Sequence, residues 1–462
     1  MKPPHIHILG ICGTFMAGIA TIARALGHQV SGSDAQAYPP MSDVLASQGI
    51  EISRGYEPAH ITSDVDCVVI GNALSRGNKA VEHVLNARLR YISGPQWLAE
   101  NVLHSRHVLA VSGTHGKTTV SSMLAWILEH AGYQPGFLIG GLPANFTASA
   151  RLGSDPYFVI EADEYDTAFF DKRSKFVHYL ARTLVINNVE YDHADIFPDM
   201  ASIYRQFHHL VRTVPGAGTI VRPADDAHID AILAMGVWSN VETIGGRNTP
   251  LRAVLQSPDG SHFDLINAEG RWPVKWSQFG AHNVANGLAA IAAAMDIGIK
   301  PADAARALTS FEGVARRLQV RGEGRSVTVY DDFAHHPTAI SATIDALRAR
   351  IPSDHRLIAV VEPRSNTMRL GAHGDSLGHS LAEADKIFAL GTNDMRSSLR
   401  DALSSVAAKT EILDSVDAIV GSVAKASRPH DHVLVMSNGS FGGLHEKLLA
   451  ALRTERQDDH QV

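Results

Sequence analysis

Short apolar runs recur along this chain, each closed by a turn rich in glycine or acid and followed by a stretch of helical spacing. That is the pattern of strands feeding helices in a mostly parallel α/β sheet. His5-Ile6-His7-Ile8-Leu9 reads as a first strand, Gly10-Ile11-Cys12-Gly13-Thr14 as its turn, and the residues through Leu26 as a helix. Gln29–Asp34 follows as a second strand ending in an acid, and segments 67–72 and 90–95 continue the alternation. A second region centres on the apolar run 107–112, which ends in Gly113-Thr114-His115-Gly116-Lys117-Thr118-Thr119 and gives way to helical spacing through Leu128. Strands at 157–160 and 184–188 deliver two acid-rich stretches, Glu161-Ala162-Asp163-Glu164-Tyr165-Asp166 and Glu190-Tyr191-Asp192-His193-Ala194-Asp195.

Between Gly218 and Trp276 the alternation turns short and β-like, with Pro258-Asp259-Gly260 as a turn signal. This predicts a small antiparallel appendage, followed by a helix over 282–291. A third α/β region begins near Arg321, with strands at 327–330, 357–361, 386–390 and 432–436. Its last strand enters Ser437-Asn438-Gly439-Ser440-Phe441-Gly442-Gly443, a loop able to hold an anion or equally a plain glycine turn. Residues past Arg453 are polar and expected to fray.

A length of 462 residues suits about three domains. We divide the chain at 1–105, 106–320 and 321–462, each domain built on a mostly parallel sheet. Hydrophobic content of 45% with 19% charged residues belongs to a soluble globular protein. The net charge of −7 excludes an electrostatic footprint for nucleic acid. Cys12 and Cys67 are the only cysteines, which fits a reducing cytoplasm and excludes a disulfide framework or a cysteine-built metal site. No apolar run is long enough to span a bilayer. The apolar start is broken by Gly10, Gly13 and Gly18, so it reads as strand–turn–helix rather than a signal peptide.

The chemistry begins at the loop after residue 112. Strand, glycine turn with Gly-Lys-Thr, then helix is the layout of a phosphate-binding loop. Backbone N–H groups and the helix N-terminus face anionic oxygens, Lys117 reaches the β/γ-phosphates, and the Thr118 hydroxyl suits Mg²⁺. Val111 stands where the longer pattern has glycine, so this is the shorter Gly113-x-x-Gly116-Lys117-Thr118-Thr119 form. Glu161, first after its strand, is a candidate Mg²⁺ ligand. Asp163, Glu164 and Asp166, taken singly, read as a solvated loop. His193 reads as a second metal ligand, a γ-phosphate contact or an ordinary loop histidine. In the first turn, Cys12 and Phe15 replace the second and third glycines of G-x-G-x-x-G. A nicotinamide dinucleotide is therefore disfavoured, and a nucleotide diphosphate attached to another group fits better.

The phosphate loop, Glu161-Ala162-Asp163-Glu164, His282-Asn283-Val284-Ala285-Asn286, Gly313-Val314-Ala315-Arg316-Arg317 and Asp331-Asp332-Phe333-Ala334-His335-His336-Pro337 together resemble the Mur ligase family. The resemblance covers nearly the whole chain. It implies an ATP-dependent ligase that joins amino acids or peptides to UDP-linked muramic acid, with Mg²⁺. The first turn and Ser31-Gly32-Ser33-Asp34 resemble the site of the branch using UDP-N-acetylmuramate, implying Gly10, Gly13, Thr14, Phe15, Met16, Ser33, Asp34 and Asn72 as substrate contacts. Stretches 187–197 and 362–368 resemble the recycling branch, whose second substrate is the murein tripeptide L-alanyl-γ-D-glutamyl-meso-diaminopimelate. The L-alanine-adding branch is the nearest alternative, and a P-loop switch or transport ATPase a remote one.

By matching position, the resemblance implies that Gly113, Thr114, His115, Gly116, Lys117, Thr118 and Thr119 hold the phosphates. Thr118 and Glu161 would hold one Mg²⁺ and His193 a second. His282, Asn283 and Asn286 would lie near adenine or its ribose, Arg317 and Asp332 would reach the nucleotide as the third domain closes, and His335 would stand by the incoming amine. Several family members bridge metals with a carbamylated lysine. The matching region here is Tyr204-Arg205-Gln206-Phe207-His208, and no lysine occurs between Lys175 and Lys275. Arg364, just past an apolar strand, is the candidate for a peptide carboxylate, since its planar fork suits bidentate pairing.

Overall fold

Three successive sheets, each mostly parallel, organise the computed structural model, which describes residues 3–37, 41–364, 374–392 and 395–454. The first runs in the order Glu51–Arg54, Gln29–Asp34, His5–Leu9, Cys67–Ile70, Tyr91–Ser93, with every pairing parallel. The chain crosses to one side of His5–Leu9 and then to the other, so the turn at Gly10 lies where strand order reverses, the usual place for a ligand. Along that strand Ile6 and Ile8 face an apolar core. His5 and His7 alternate with them, and their rings bond the Ser31 and Ser33 hydroxyls at 2.9 Å, which satisfies a buried polar seam.

The central sheet has seven strands, with His107–Ser112 between Ala181–Ile186 and Tyr157–Glu161, both parallel to it. Helices Lys117–His130 and Ala281–Asp296 pack together over one face, and the run of buried alanines from Ala289 to Ala294 lets them approach closely. The expected antiparallel appendage is smaller than the sequence suggested. Thr219–Pro223 and Asn240–Ile244 are parallel strands at one edge of the central sheet, joined by the helix Ala227–Ala234. Only Arg252–Leu255, His262–Asn267 and Gly270–Lys275 form the antiparallel unit. The crossover helix is short, and the edge strand after it, Asn240–Ile244, is exposed enough to carry polar residues.

The third sheet runs Gln319–Gly324, Val327–Asp332, His432–Met436, Leu357–Val361, Lys386–Leu390, Thr410–Leu413, parallel except for the first pair. Leu357–Val361 is buried at every position, which is why it reads as an unbroken apolar run. Pro337–Arg350 covers one face through Ile340, Ile344 and Leu347, and Val416–Ala426 with Leu444–Thr454 covers the other through Ile419, Val423, Leu448 and Leu452. Each such side chain adds ~1.5–3 kcal/mol by leaving water. Among the described residues no helix is long and apolar enough to cross a membrane. Most of 362–368, and the terminus expected to fray beyond Arg453 apart from Thr454, lie outside the described residues.

Candidate active site between the three sheets

The loop after His107–Ser112 is held open by its glycines. Gly113 and Gly116 have φ of +132° and +79°, and a Cβ at Gly113 would lie 2.9 Å from the Asn188 carbonyl oxygen. Gly116 caps the helix Lys117–His130. The loop is clamped from the next strand end: the Asn188 carboxamide accepts from the His115 N–H at 2.7 Å, and Asn187 Nδ2 donates to the His115 carbonyl at 3.0 Å. Asn187 Nδ2 also donates to Asn286 Oδ1 at 3.0 Å, and Asn283 Nδ2 donates to the Phe279 carbonyl at 2.8 Å. Asn187 and Asn188, with Asn286 behind Asn187, therefore brace the loop, while Asn283 holds the start of its own helix. Beside them, Asn187, Val221, Pro223, Ile244, Ala285 and Leu288 line a small, mostly apolar cleft of about 60 Å³ at the C-terminal ends of the strands.

A charged cluster fills the mouth of the loop. Lys117 Nζ donates to the Gly113 carbonyl at 2.6 Å and to Glu164 at 2.8 Å, and stands 3.7 Å from Asp163. His193 Nε2 meets the other Glu164 oxygen at 3.1 Å. Burial alone would raise the Glu164 carboxyl, but Lys117 and His193 outweigh it and hold it at about 2. Burial would likewise lower Lys117 and His193, yet the acids beside them hold both above their ordinary values. Glu161 accepts from the Thr118 hydroxyl at 3.0 Å through one oxygen and from the Gly140 N–H at 2.7 Å through the other, while burial pushes its carboxyl up. The Thr118 hydroxyl and the Glu161 carboxylate form the all-oxygen donor set that Mg²⁺ takes.

The third sheet and the segment entering it reach into this cluster. Arg317 Nη2 lies 3.4 Å from Thr118 Oγ1, and its guanidinium sits 5.0 Å over the Phe333 ring. Buried Asp332 accepts from the Leu318 and Ala334 N–H groups at 2.7 and 2.8 Å, so it shapes the entry to this domain. His335 Nδ1 donates to the Phe333 carbonyl at 2.9 Å, and burial lowers the ring to about 4. His335 is thus neutral, with Nε2 left as the acceptor, 4.0 Å from Asp192. Burial and Arg317 similarly lower His282 to about 4. A second bridge joins the domains: Glu190 lies 3.1 Å from His115 and 3.3 Å from His336.

In the first domain, Asp34 accepts from the Cys12 and Gln36 N–H groups at 2.9 Å each, and the Ser33 hydroxyl is bonded to His7 and His60. These two therefore hold the turn in shape from beneath. Thr14 and Phe15 open the helix Thr14–Ala25, Met16 is buried below them, and Asn72 is exposed in the turn after Cys67–Ile70. Arg364 lies across the glycine loop of the last strand, so close that a Cβ at Gly439 would stand 2.2 Å from its Nη1. Arg316 Nη2 ties the same loop down through the Ser437 and Gly439 carbonyls at 2.7 and 2.6 Å.

Family models match the chain in three consecutive parts: the Mur ligase family catalytic domain over residues 5–106, the Mur ligase middle domain over 111–294, and the Mur ligase glutamate ligase domain over 316–439. The chain belongs to the Mur ligase family. It is 54% identical over 448 residues to the UDP-N-acetylmuramate–L-alanyl-γ-D-glutamyl-meso-2,6-diaminoheptandioate ligase of Escherichia coli (strain K12), covering 97% of this chain and 98% of the relative. A crystal structure of a murein peptide ligase from Psychrobacter arcticus 273-4 superposes with a TM-score of 0.75 at 46% identity, covering 98% and 99% of the two chains. Identity to the UDP-N-acetylmuramate–L-alanine ligase of Solibacter usitatus is 32% over 477 residues, covering 98% and 96%.

Within this Mur ligase, the residue that the sequence undervalued most is Glu164. It is buried between Lys117 and His193, not solvated. Asn187, Asn188, Glu190 and His336 were likewise given no separate role, because their partners lie tens to hundreds of residues away. The one sequence signal available was position, since all but His336 fall at or just past the C-terminal ends of central strands.

Proposed function

We propose that this enzyme joins L-alanyl-γ-D-glutamyl-meso-diaminopimelate to the lactyl carboxylate of UDP-N-acetylmuramate, using ATP, in peptidoglycan recycling in the cytoplasm. The observation that carries this reading is the grouping of Lys117, Glu161 and His193 at the ends of central strands with Arg317, from the segment entering the third sheet, and His335, just past its strand Val327–Asp332. The 54% identity to a relative named for that reaction, against 32% to one named for L-alanine, favours the tripeptide. We assign 1–105 to the sugar nucleotide, 106–320 to ATP and 321–462 to the peptide and to closure.

ATP, bound with Mg²⁺, supplies the phosphoryl group that turns the carboxylate into an acyl phosphate, which the tripeptide amine displaces with release of phosphate. The residues do the positioning. Loop amides from Gly113 to Thr119 and the Lys117 ammonium face the phosphates, where fixed charge does most in a site closed to water. Thr118 and Glu161 would hold one Mg²⁺ and His193 a second, with His282, Asn283 and Asn286 near the adenine or its ribose. Neutral His335, with Nε2 open, accepts a hydrogen bond from the incoming amine. Gly10, Gly13, Thr14, Phe15 and Asn72 would border the sugar nucleotide, with Met16, Ser33 and Asp34 fixing their turn. ADP release in the presence of UDP-N-acetylmuramate is expected to require the tripeptide, and L-alanine in its place is expected to give little. Release that ignores the sugar nucleotide would return the chain to the general ATPases.

Two further outcomes follow from this assignment. Helix Met200–Val211 carries no lysine, so depletion of carbon dioxide and readdition of bicarbonate are expected to leave the rate unchanged. Recovery with bicarbonate after depletion at low pH would contradict this. Arg364→Lys is expected to weaken tripeptide binding by ~1–3 kcal/mol, the range for a charge-assisted hydrogen bond. The KM for ATP should barely move. Unchanged tripeptide KM and kcat would return Arg364 to the surface.

A further inference from the structure

Lys175 is a buried cation with little in the protein to hold it. Its side chain is 9% exposed, and its nearest carboxylate oxygen, on Asp163, is 3.5 Å away. That carboxylate is already shared with Lys117 at 3.7 Å. The remaining contacts of the ammonium are aromatic faces, Phe15 at 5.4 Å and Tyr165 at 5.6 Å. An ammonium carries three donors, and among the described residues the Lys175 ammonium has one hydrogen bond, at the long limit. Taking such a charge out of water is costly unless it is paired.

Its place in the fold says what the partner is. Lys175 opens a one-turn helix of the central domain, Lys175–His178. Phe15, under its ammonium, belongs to the turn-and-helix of the first domain, while Asp163 belongs to the acid cluster at the phosphate loop. The ammonium thus stands between the site assigned to the sugar nucleotide and the site assigned to the phosphates. In the proposed reaction the group that must bridge those two places is the carboxylate of the sugar acid. The π faces leave the cation without competing anions on the first-domain side. We propose that Lys175 binds this carboxylate and positions it toward the phosphates. A carbamate on Lys175 is disfavoured by the same geometry, since it would set a second anion against Asp163.

This inference rests on the functional assignment above, and its test separates the two. Affinities for UDP-N-acetylmuramate and for UDP-N-acetylglucosamine, the same sugar nucleotide without the lactyl acid, are measured by calorimetry on the full chain without ATP. Failure of the wild-type protein to bind UDP-N-acetylmuramate would overturn the functional assignment. Equal affinity for the two would overturn the role of Lys175 alone. In Lys175→Met the preference for the acid is expected to fall about tenfold or more, the range for a lost hydrogen bond to a charged group, with UDP-N-acetylglucosamine binding unchanged. Lys175→Arg is expected to restore the preference. Equal losses for both ligands would assign Lys175 to the diphosphate instead, and no loss would leave it a structural charge; either result overturns the proposal. Should the methionine variant not fold, Asp163→Asn keeps Lys175 and removes its competitor. The preference is then expected to rise several-fold, and an unchanged or smaller preference would overturn the proposal.

Discussion

Lys117→Ala is expected to reduce amide formation by at least ~10²–10³-fold, the effect of deleting one preorganised charge from a site where negative charge develops. The protein should remain folded. Lys117 contacts Gly113, Glu164 and Asp163, and its loss leaves each acid with another cation, His193 for Glu164 and Lys175 for Asp163. The helix it opens keeps its cap at Gly116. Single-turnover ADP formation alongside a melting curve separates the two effects. Wild-type rates in a folded Lys117→Ala protein would remove ATP from this loop.

Glu164→Ala has the largest expected effect on stability. It leaves Lys117 and His193, both largely buried, facing one another, with Asp163 and Glu161 near Lys117 and Asp192 near His193 as the remaining acids. Breaking a buried pair in this way costs ~3–5 kcal/mol, and the shared Asp163 places this case at the lower end. The pH dependence has a definite sign. Glu164 lies below its ordinary 4.5, so its stabilisation is complete above that value and is lost as pH falls through about 2. His193 lies above its ordinary 6.5, so its share is complete below 6.5 and is lost as pH rises through the raised value. The gap between wild type and variant should therefore be widest between pH 4.5 and 6.5. It should narrow towards pH 2 and shrink in part on the alkaline side. Urea midpoints at pH 3, 5.5 and 8 read this directly, and a gap independent of pH would show that Glu164 is not charged in the fold.

The same residues show how far the chain could be read before its fold was known. The phosphate loop was legible because all of its parts are local: strand, two glycines, lysine, hydroxyl and helix occupy one continuous stretch. Glu161 was legible for the same reason, as the acid at the end of an apolar run. Leu357–Val361 and His432–Met436 declared themselves by unbroken apolar character. Thr219–Pro223 and Asn240–Ile244 did not, because the second of them is a polar edge strand and the helix between them is short, so two parallel strands looked like part of a hairpin unit.

What the sequence determined by itself was local: which segments are strands and helices, three regions of one class, and a glycine-lysine loop between strand and helix with an acid at the end of the next strand. Period and turn chemistry are properties of neighbouring residues, and folding does not change them. The tertiary structure decided which charges meet. Glu164 became the anion shared by Lys117 and His193, Asn187 and Asn286 became braces for the loop, and Lys175 was set over the Phe15 ring of another domain. Those outcomes depend on burial and on partners brought together across domains. An isolated acid or lysine in a polar stretch reads as solvated until the chain that covers it is in place.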